Sequence, residues 1–275
     1  MGLIDILLAR AKQGHRTIGY PKNPPVLPEL FQGRPIVRPE LCRSGCGKCA
    51  DVCPTGAITL PTHIKNPELL LFATSDDAGG GDDTLSLDVG RCIFCGECEK
   101  VCGDKAIEFT KEHRMAASSR EALKLSGETY EMAKALDKKA LKVFGRSLKL
   151  RQVSAGGCNA CEADINVLNT VVFDLGRFGI QFAASPRHAD GLLITGPVTK
   201  NMELALRKTW DAVPEPKIVI AVGACAINGG LYAGHAETRS GIPSWLKVDL
   251  YIPGCPPHPI TILDGLLRLL GKLDE

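Results

Sequence analysis

Twelve cysteines are the residues whose type and spacing most directly suggest chemistry in this 275-residue chain. Eight fall in two short runs, 42–53 and 92–102, and the other four are Cys158, Cys161, Cys225 and Cys255. Thiolates are soft ligands for zinc and for iron–sulfur clusters, whereas cysteines of exported proteins more often pair as disulfides. The segment "MGLIDILLARAKQG" lacks the basic start and small-residue cleavage site of an export signal. We therefore expect the thiols to stay reduced and to serve as ligands.

The two runs are copies of one unit. Adding 49 to the residue number places five positions of the first run (46, 49, 53, 57 and 58) on identical residues of the second. The register slips by one residue only at Cys42, whose image would be Arg91 and not Cys92. A doubled unit of this kind predicts a small domain with pseudo-twofold symmetry.

The segments "CGKCADVCPTGAI" and "CIFCGECEKVCGDKAI" carry the cysteine spacing of bacterial-type ferredoxins, C-x2-C-x2-C-x3-C. In that spacing three thiolates bind one 4Fe–4S cubane, and the fourth cysteine reaches the other cluster. The sequence therefore predicts two ligand sets that exchange their last cysteine: Cys42, Cys46, Cys49 and Cys102 for the first cluster, and Cys92, Cys95, Cys98 and Cys53 for the second.

Two departures from this spacing concern the ends of the runs. The first run begins with C-x3-C in "CRSGC", and Gly103 stands where proline usually follows the second run. The extra residue leaves the identity of the fourth ligand of the first cluster open. The alternative is zinc at two four-cysteine sites, which is less favoured because zinc sites do not require two runs with an exchanged last ligand.

Short apolar stretches alternate with helical ones from residue 148 onward. The predicted strands are "LKLRQVS", "IQFAAS", "GLLITG", "KIVIAVG" and "VDLYIPG", and the predicted helices are "EADINVLNTVVFDLG", "NMELALRKTWDAV" and "PITILDGLLRLLGKL". This alternation predicts a flavodoxin-like parallel sheet that is covered by helices on both faces.

Cysteines follow three of these strands. Cys158, Cys225 and Cys255 lie in loops at the carboxyl ends of their strands, and such loops gather at one edge of a parallel sheet. The nearby glycines in "SAGGC", "VGACAINGG" and "PGCPP" allow the close backbone approach that a bulky cluster needs. Together with Cys161, these cysteines predict a third site with four thiolates.

The motifs "GGCNACEADI", "SPRHADGLLITGPVTKNM", "GACAINGG" and "IPGCPPHP" resemble the small-subunit family shared by nickel–iron hydrogenases and the 20-kDa subunit of respiratory complex I, over about 148–273. The resemblance implies one 4Fe–4S cluster beside the active site of a large subunit. Complex I members have adjacent cysteines at the first position, whereas Asn159 and Ala160 separate them here, as in hydrogenases. This favours the membrane-associated group 4 hydrogenases, including formate hydrogenlyase. Residues 20–109 resemble their two-cluster ferredoxin subunit, so the chain resembles a fusion of the two.

These patterns divide the chain into four parts: an N-terminal docking segment (1–33), a ferredoxin-like α+β domain (34–112), a helical linker (113–146) and an α/β small-subunit-like domain (147–275). The linker has helical periodicity, with Ser118 or Ser119 as N-cap and Gly145 as a stop. The acidic segment "TSDDAGGGDDT" is predicted to be a solvated loop, because it lacks the spacing of a calcium-binding EF-hand. In the docking segment, the apolar face of "LIDILLARA" is expected to pack on another subunit, with the membrane interface as the alternative.

The composition and the resemblance together narrow the function. A net charge of +2 argues against nucleic-acid binding, and no apolar stretch is long enough to span a membrane. The resemblance implies an electron-transfer subunit with three 4Fe–4S clusters, cytoplasmic and peripheral on the inner face of the membrane. Its expected partners are a nickel–iron large subunit, membrane subunits, and formate dehydrogenase, carbon monoxide dehydrogenase or ferredoxin.

Three alternatives remain open: a complex I-like quinone reductase, a nickel-free hydrogenase-related complex, and a zinc-stabilised scaffold. No ligands for nickel are apparent in the sequence, so we do not expect hydrogen turnover by the chain alone. Four polar residues near the third site are more simply explained by hydrogen bonding or helix capping than by cluster tuning or proton transfer: Glu162, Asp164, Arg187 and His188. His258 follows Cys255 closely, and a position at the surface or behind the ligands is favoured over direct ligation.

Overall fold

The computed structural model describes residues 2–60, 84–127 and 129–273. The predicted loop "TSDDAGGGDDT" therefore lies outside the described residues except for Thr84. In the described part of the chain, no helix is long and apolar enough to cross a membrane.

The first part of the chain contains short elements around the two cysteine runs. They are α1 (Leu3–Gln13), β1 (Pro35–Val37), α2 (Lys48–Asp51), β2 (Ile58–Thr59), β3 (Ser86–Asp88), α3 (Glu97–Val101) and β4 (Ile107–Phe109). Strand β1 pairs with β4 and β2 pairs with β3, both antiparallel, so each half of the repeat closes on the other. Helices α2 and α3 carry the central cysteines and pack against each other. This is the ferredoxin-like fold that the repeat predicts.

The core of this domain is small and includes the cysteines themselves. Val37, Leu87 and Ile107 come from different strands and are buried, and they pack with Cys49 and Cys98. Few apolar side chains are therefore available to hold the domain together, and groups bound between the cysteines would supply part of its stability.

The linker is helical over a shorter span than the sequence predicts. Among the described residues of 113–146, only α4 (Lys138–Phe144) is an α-helix, and Gly145 is its C-cap as expected. Upstream, β5 (Lys124–Leu125) adds to β3, and Ala117 exchanges two backbone hydrogen bonds with Tyr251. The backbone groups of the linker therefore form hydrogen bonds with the domains on either side. Burial against both domains outweighs the helical propensity of the linker.

The remaining elements alternate as predicted. They are β6 (Leu148–Ser154), α5 (Ala160–Val167), β7 (Ile180–Phe182), β8 (Gly191–Thr195), α6 (Lys200–Ala212), β9 (Ile218–Val222), α7 (Ala224–Asn228), β10 (Leu250–Ile252) and α8 (Pro259–Leu269). The strands form a parallel sheet in the order β10-β9-β8-β6-β7. Every residue of β8, β9 and α8 is buried, as expected for a sheet covered on both faces. The predicted α/β class is confirmed.

Helix α5 is shorter than its predicted span of 162–176. The chain leaves the helix after Val167, and the amide of Leu175 donates to the carbonyl of Leu168 across the turn. Leu168 and Leu175 are both buried, so the turn brings two leucines into the core that one continuous helix would separate.

Tyr20 connects the N-terminal segment to helix α8 through a hydrogen bond. Its hydroxyl donates to Oδ1 of the fully buried Asp264 at 2.5 Å, and Nε of Arg268 donates to Oδ2 of the same carboxylate at 2.9 Å. Burial, followed by the interaction with Asp264, raises the pKa of Tyr20 well above its ordinary value. The hydroxyl therefore remains a proton donor, and residues before the ferredoxin-like domain are held against the C-terminal sheet.

We expect Tyr20→Phe to lower the free energy of unfolding by about 1.5–3 kcal/mol, because it removes a hydrogen bond to a buried charged group. Urea unfolding followed by the fluorescence of Trp210 and Trp245, the two tryptophans of the chain, reports on the C-terminal sheet. Tyr232→Phe is the control, since that ring is 45% exposed. Equal midpoints for the two variants would mean that the Tyr20 hydroxyl contributes nothing.

Candidate iron–sulfur centres

The first group of cysteines lines a recess in the ferredoxin-like domain. Cys42 follows a 3-10 helix (Pro39–Leu41), Cys49 lies on α2, and Cys102 follows α3. With Cys46 they form the first predicted set, so a cysteine of the second run lies beside three of the first. The longer C-x3-C spacing does not separate Cys42 from the others.

A second recess lies at the pseudo-symmetric position. It is lined by the second predicted set, Cys53, Cys92, Cys95 and Cys98. Cys92 and Cys98 are buried, while Cys95 is exposed at the rim. The two recesses therefore exchange one cysteine each.

Backbone amides donate to sulfur at equivalent places in the two halves. The amide of Ala57 donates to Sγ of Cys53 at 3.2 Å, and the amide of Ala106 donates to Sγ of Cys102 at 3.3 Å. The amide of Phe94 donates to Cys92 at 3.3 Å. Such donors stabilise negative charge on sulfur, and in iron–sulfur proteins they help to set the reduction potential.

The third group of cysteines lies at the carboxyl edge of the parallel sheet. Cys158 and Cys161 follow β6, Cys225 is in the first turn of α7 after β9, and Cys255 follows β10. Burial, together with the charges of Cys255 and Cys158, raises the pKa of Cys225 to about 12, so these thiols are near neighbours. Cys158 and Cys255 are exposed, whereas Cys161 and Cys225 are partly buried. The site therefore opens to the surface.

Two glycines make room for this group. A Cβ atom on Gly223 would lie 2.6 Å from Sγ of Cys161, and one on Gly230 would lie 3.0 Å from Sγ of Cys225. Both glycines have positive φ, +89° and +55°. The close approach predicted for the glycine-rich loops is present at these two positions.

Each of the three groups contains a thiol whose pKa is raised by burial. Burial, reinforced by neighbouring cysteines, raises the pKa of Cys49 to about 11 and that of Cys98 to about 12. It also raises the pKa of Cys161. Several thiolates in one buried group require compensating positive charge, which bound iron provides as the protons leave.

The chemistry of the donors in the two recesses fits an iron–sulfur group, because four cysteines line each recess and backbone amides donate to three of the sulfur atoms. Tetrahedral zinc needs its sulfur ligands about 2.3 Å from a common point. Cysteines that surround a recess, with amides directed at sulfur, suit a larger group that contains several metal atoms.

Two of the polar residues noted near the third site, Glu162 and His258, make hydrogen bonds within the protein. Glu162 is buried and does not cap α5; it accepts a hydrogen bond from Oγ1 of Thr195 on β8 at 2.6 Å. His258 caps α8 by accepting from the amide of Ile260 at 3.2 Å. Arg187 and His188 are exposed on a 3-10 helix.

Sequence reasoning missed Arg91 and Asn228, which are buried and hydrogen-bonded to each other beside Cys92 and α7. The available signal was the register slip of the repeat, which places Arg91 where Cys42 would repeat.

Two protein-family models match separate parts of the chain, one containing the first two cysteine groups and the other containing the third. Residues 41–106 match a 4Fe–4S dicluster domain, and residues 158–269 match the family described as NADH ubiquinone oxidoreductase, 20 kDa subunit. The resemblance of both halves is thereby confirmed.

Three relatives represent the matches to the C-terminal half. Formate hydrogenlyase subunit 7 of Escherichia coli is 43% identical over 49% of this chain and 53% of its own length. The probable membrane-bound hydrogenase subunit mbhJ of Pyrococcus furiosus is 41% identical over 48% of this chain and 79% of its own length. An NADH-quinone oxidoreductase subunit of Desulfovibrio desulfuricans is 41% identical over 47% of this chain and 70% of its own length. The match thus spans about half of the formate hydrogenlyase subunit and most of the other two.

Proposed function

Because the chain belongs to the NADH ubiquinone oxidoreductase 20-kDa subunit family and carries a 4Fe–4S dicluster domain ahead of it, we propose that it relays electrons through three 4Fe–4S clusters. At the coarser level it is an iron–sulfur electron-transfer subunit of a hydrogenase-like or complex I-like complex. The observation that carries the finer proposal is the grouping of all twelve cysteines into three sets of four.

Each cysteine set would hold one cluster. The ligands are Cys42, Cys46, Cys49 and Cys102 for the first cluster, Cys92, Cys95, Cys98 and Cys53 for the second, and Cys158, Cys161, Cys225 and Cys255 for the third. A bound 4Fe–4S cluster takes up and releases single electrons. The residues of this chain would bind it and direct amides such as those of Ala57 and Ala106 at its sulfur ligands.

The proposed order of the sites places the second between the first and the third. The loop that precedes Cys92 packs on α7, the helix that carries Cys225: a Cβ atom on Gly90 would lie 2.9 Å from Cγ2 of Ile227. The first recess instead includes Arg43 and Lys48, which are exposed or partly exposed to solvent. Electrons would therefore enter or leave the ferredoxin-like domain at its first site.

We propose a nickel–iron large subunit as the partner at the third site. Support comes from the exposure of Cys158 and Cys255, which leaves that site open to a neighbouring protein, and from the separated pair Cys158 and Cys161, which resembles hydrogenases. The other proposed partners are membrane subunits and an electron donor or acceptor, such as formate dehydrogenase, carbon monoxide dehydrogenase or ferredoxin. The complex would lie on the cytoplasmic face of the membrane. The exposed apolar residues of α1 would dock on one of these subunits.

The proposed domain bounds remain 1–33, 34–112, 113–146 and 147–275. The contacts of the linker with both neighbours support treating it as a connector. The hydrogen bond from Tyr20 to Asp264 on α8 supports separating residues 1–33 from the ferredoxin-like domain.

Iron and sulfide analysis of the anaerobically purified chain tests the cluster count. Three cubanes predict about twelve irons and about twelve sulfides per chain. Stoichiometric zinc with little iron would instead favour the scaffold alternative. About eight irons per chain would agree with the two clusters of the dicluster domain and contradict a cluster at the third site.

A second candidate is a subunit of a complex I-like quinone reductase or of a nickel-free hydrogenase-related complex. The family match over 158–269 and the similarity to an NADH-quinone oxidoreductase subunit favour it. The large subunit that co-purifies with the chain decides between the two candidates, since nickel binding requires cysteine ligands that a quinone reductase does not need.

A further inference from the structure

A buried polar contact joins the ferredoxin-like domain to the C-terminal sheet. Arg91 immediately precedes Cys92, and its side chain is only 9% exposed. Its Nε donates to Oδ1 of Asn228 at 3.2 Å. Asn228 is the last residue of α7, three residues after Cys225. One hydrogen bond therefore connects the residue beside a cysteine of the second site with the helix that carries a cysteine of the third.

Asp88 organises the surroundings of this contact. Its Oδ1 accepts from the amide of Gly90 at 2.9 Å and from Nη1 of Arg120 at 2.8 Å, and its Oδ2 accepts from Nη2 of Arg120. The same carboxylate lies 3.9 Å from Nε of Arg91. Because Arg120 belongs to the linker, this carboxylate ties the linker and the loop before Cys92 together at the junction.

The junction is tightly packed, so small displacements are resisted. A Cβ atom on Gly90 would lie 2.9 Å from Ile227 on one side and 2.9 Å from Leu123 on the other. A charge enclosed in this way is screened less by water and salt than a charge on the surface. The guanidinium of Arg91 therefore acts more strongly on groups near Cys92 than an exposed arginine would.

We infer that Arg91 is a positioning residue that couples the second and third clusters. Its hydrogen bond to Asn228 fixes the separation of the two sites, and its positive charge favours the reduced, more negative form of the second cluster. The inference rests on the proposed function, because it requires clusters in both sites.

The charge is tested with Arg91→Gln in the full chain, purified anaerobically and titrated potentiometrically with detection by electron paramagnetic resonance. Glutamine keeps an amide donor but removes the charge, so the midpoint potential of the second cluster should fall. Arg91→Lys should return it toward the parent value. Arg43→Gln is the matched control: Arg43 follows Cys42 directly, but its side chain is 75% exposed, so the shift at the first cluster should be much smaller.

The positioning effect is tested with Asn228→Ala, which removes the acceptor and keeps the charge of Arg91. The fully reduced protein should then show an altered magnetic interaction between the second and third clusters, while the potential of the second cluster changes less than in Arg91→Gln. Iron and sulfide content should match the parent in both variants.

The outcomes separate this inference from the proposed function. A parent chain without iron–sulfur clusters would contradict the proposed function. A fully loaded Arg91→Gln variant with the potential of the parent, or a loaded Asn228→Ala variant with the spectrum of the parent, would overturn the inference alone. If the Arg91→Gln variant does not bind its second cluster, the spectrum of the Asn228→Ala variant tests the inference in its place.

Discussion

Replacing Cys53 by alanine should remove the second cluster and leave the first in place, although Cys53 belongs to the first run of the sequence. Iron should fall from about twelve to about eight per chain. The physical reason is that Cys53 lines the recess with Cys92, Cys95 and Cys98, and the amide of Ala57 helps to orient its sulfur. Cys102→Ala is the symmetric experiment, and it should remove the first cluster.

Pairs of substitutions identify which cluster is lost without relying on spectra. If Cys53 and Cys92 hold the same cluster, the double variant should keep about eight irons, as Cys53→Ala alone does. Adding Cys46→Ala to Cys53→Ala should instead leave about four, because a second cluster is then lost. The opposite pattern, about four for the first pair and about eight for the second, would mean that each run binds its own cluster.

The cysteine grouping is the part of the site that the sequence predicts best. The exchange of Cys53 and Cys102 follows from a spacing with few structural solutions, and the third group follows from strands whose carboxyl ends share an edge. The strands themselves were recognisable because β8 and β9 are continuous apolar runs, as buried parallel strands are. Both arguments use only local patterns.

The parts that the sequence does not predict depend on distant contacts. The linker has helical periodicity, yet β5 pairs with β3, and Ala117 bonds to Tyr251, 134 residues later by their numbering. Arg91 and Asn228 are 137 residues apart, and Tyr20 and Asp264 are 244 apart. No local pattern encodes such pairs. Glu162 illustrates the same limit, because its position on α5 suggests a helix cap while its hydrogen-bond partner, Thr195, lies on β8.

Gly223→Ala should abolish the third cluster and lower the iron content from about twelve to about eight per chain. The new Cβ would lie 2.6 Å from Sγ of Cys161, and φ at this position is +89°, where a side chain is strained. Backbone strain of this kind costs about 1–3 kcal/mol, and the contact adds displacement of a ligand sulfur. Gly45→Ala is the matched control, since Gly45 also has positive φ (+77°) and adjoins Cys46, but its Cβ would meet no atom within 4 Å.

The control separates strain from obstruction. If positive φ alone prevented cluster binding, Gly45→Ala should lose the first cluster as Gly223→Ala loses the third. If the obstruction at Cys161 is responsible, Gly45→Ala should keep about twelve irons. Combining Gly223→Ala with Cys225→Ala should cost no iron beyond either change alone, because both act on one site. Full iron loading of Gly223→Ala would contradict the role assigned to Gly223, since the loop would then move away from Cys161 without disturbing the ligands.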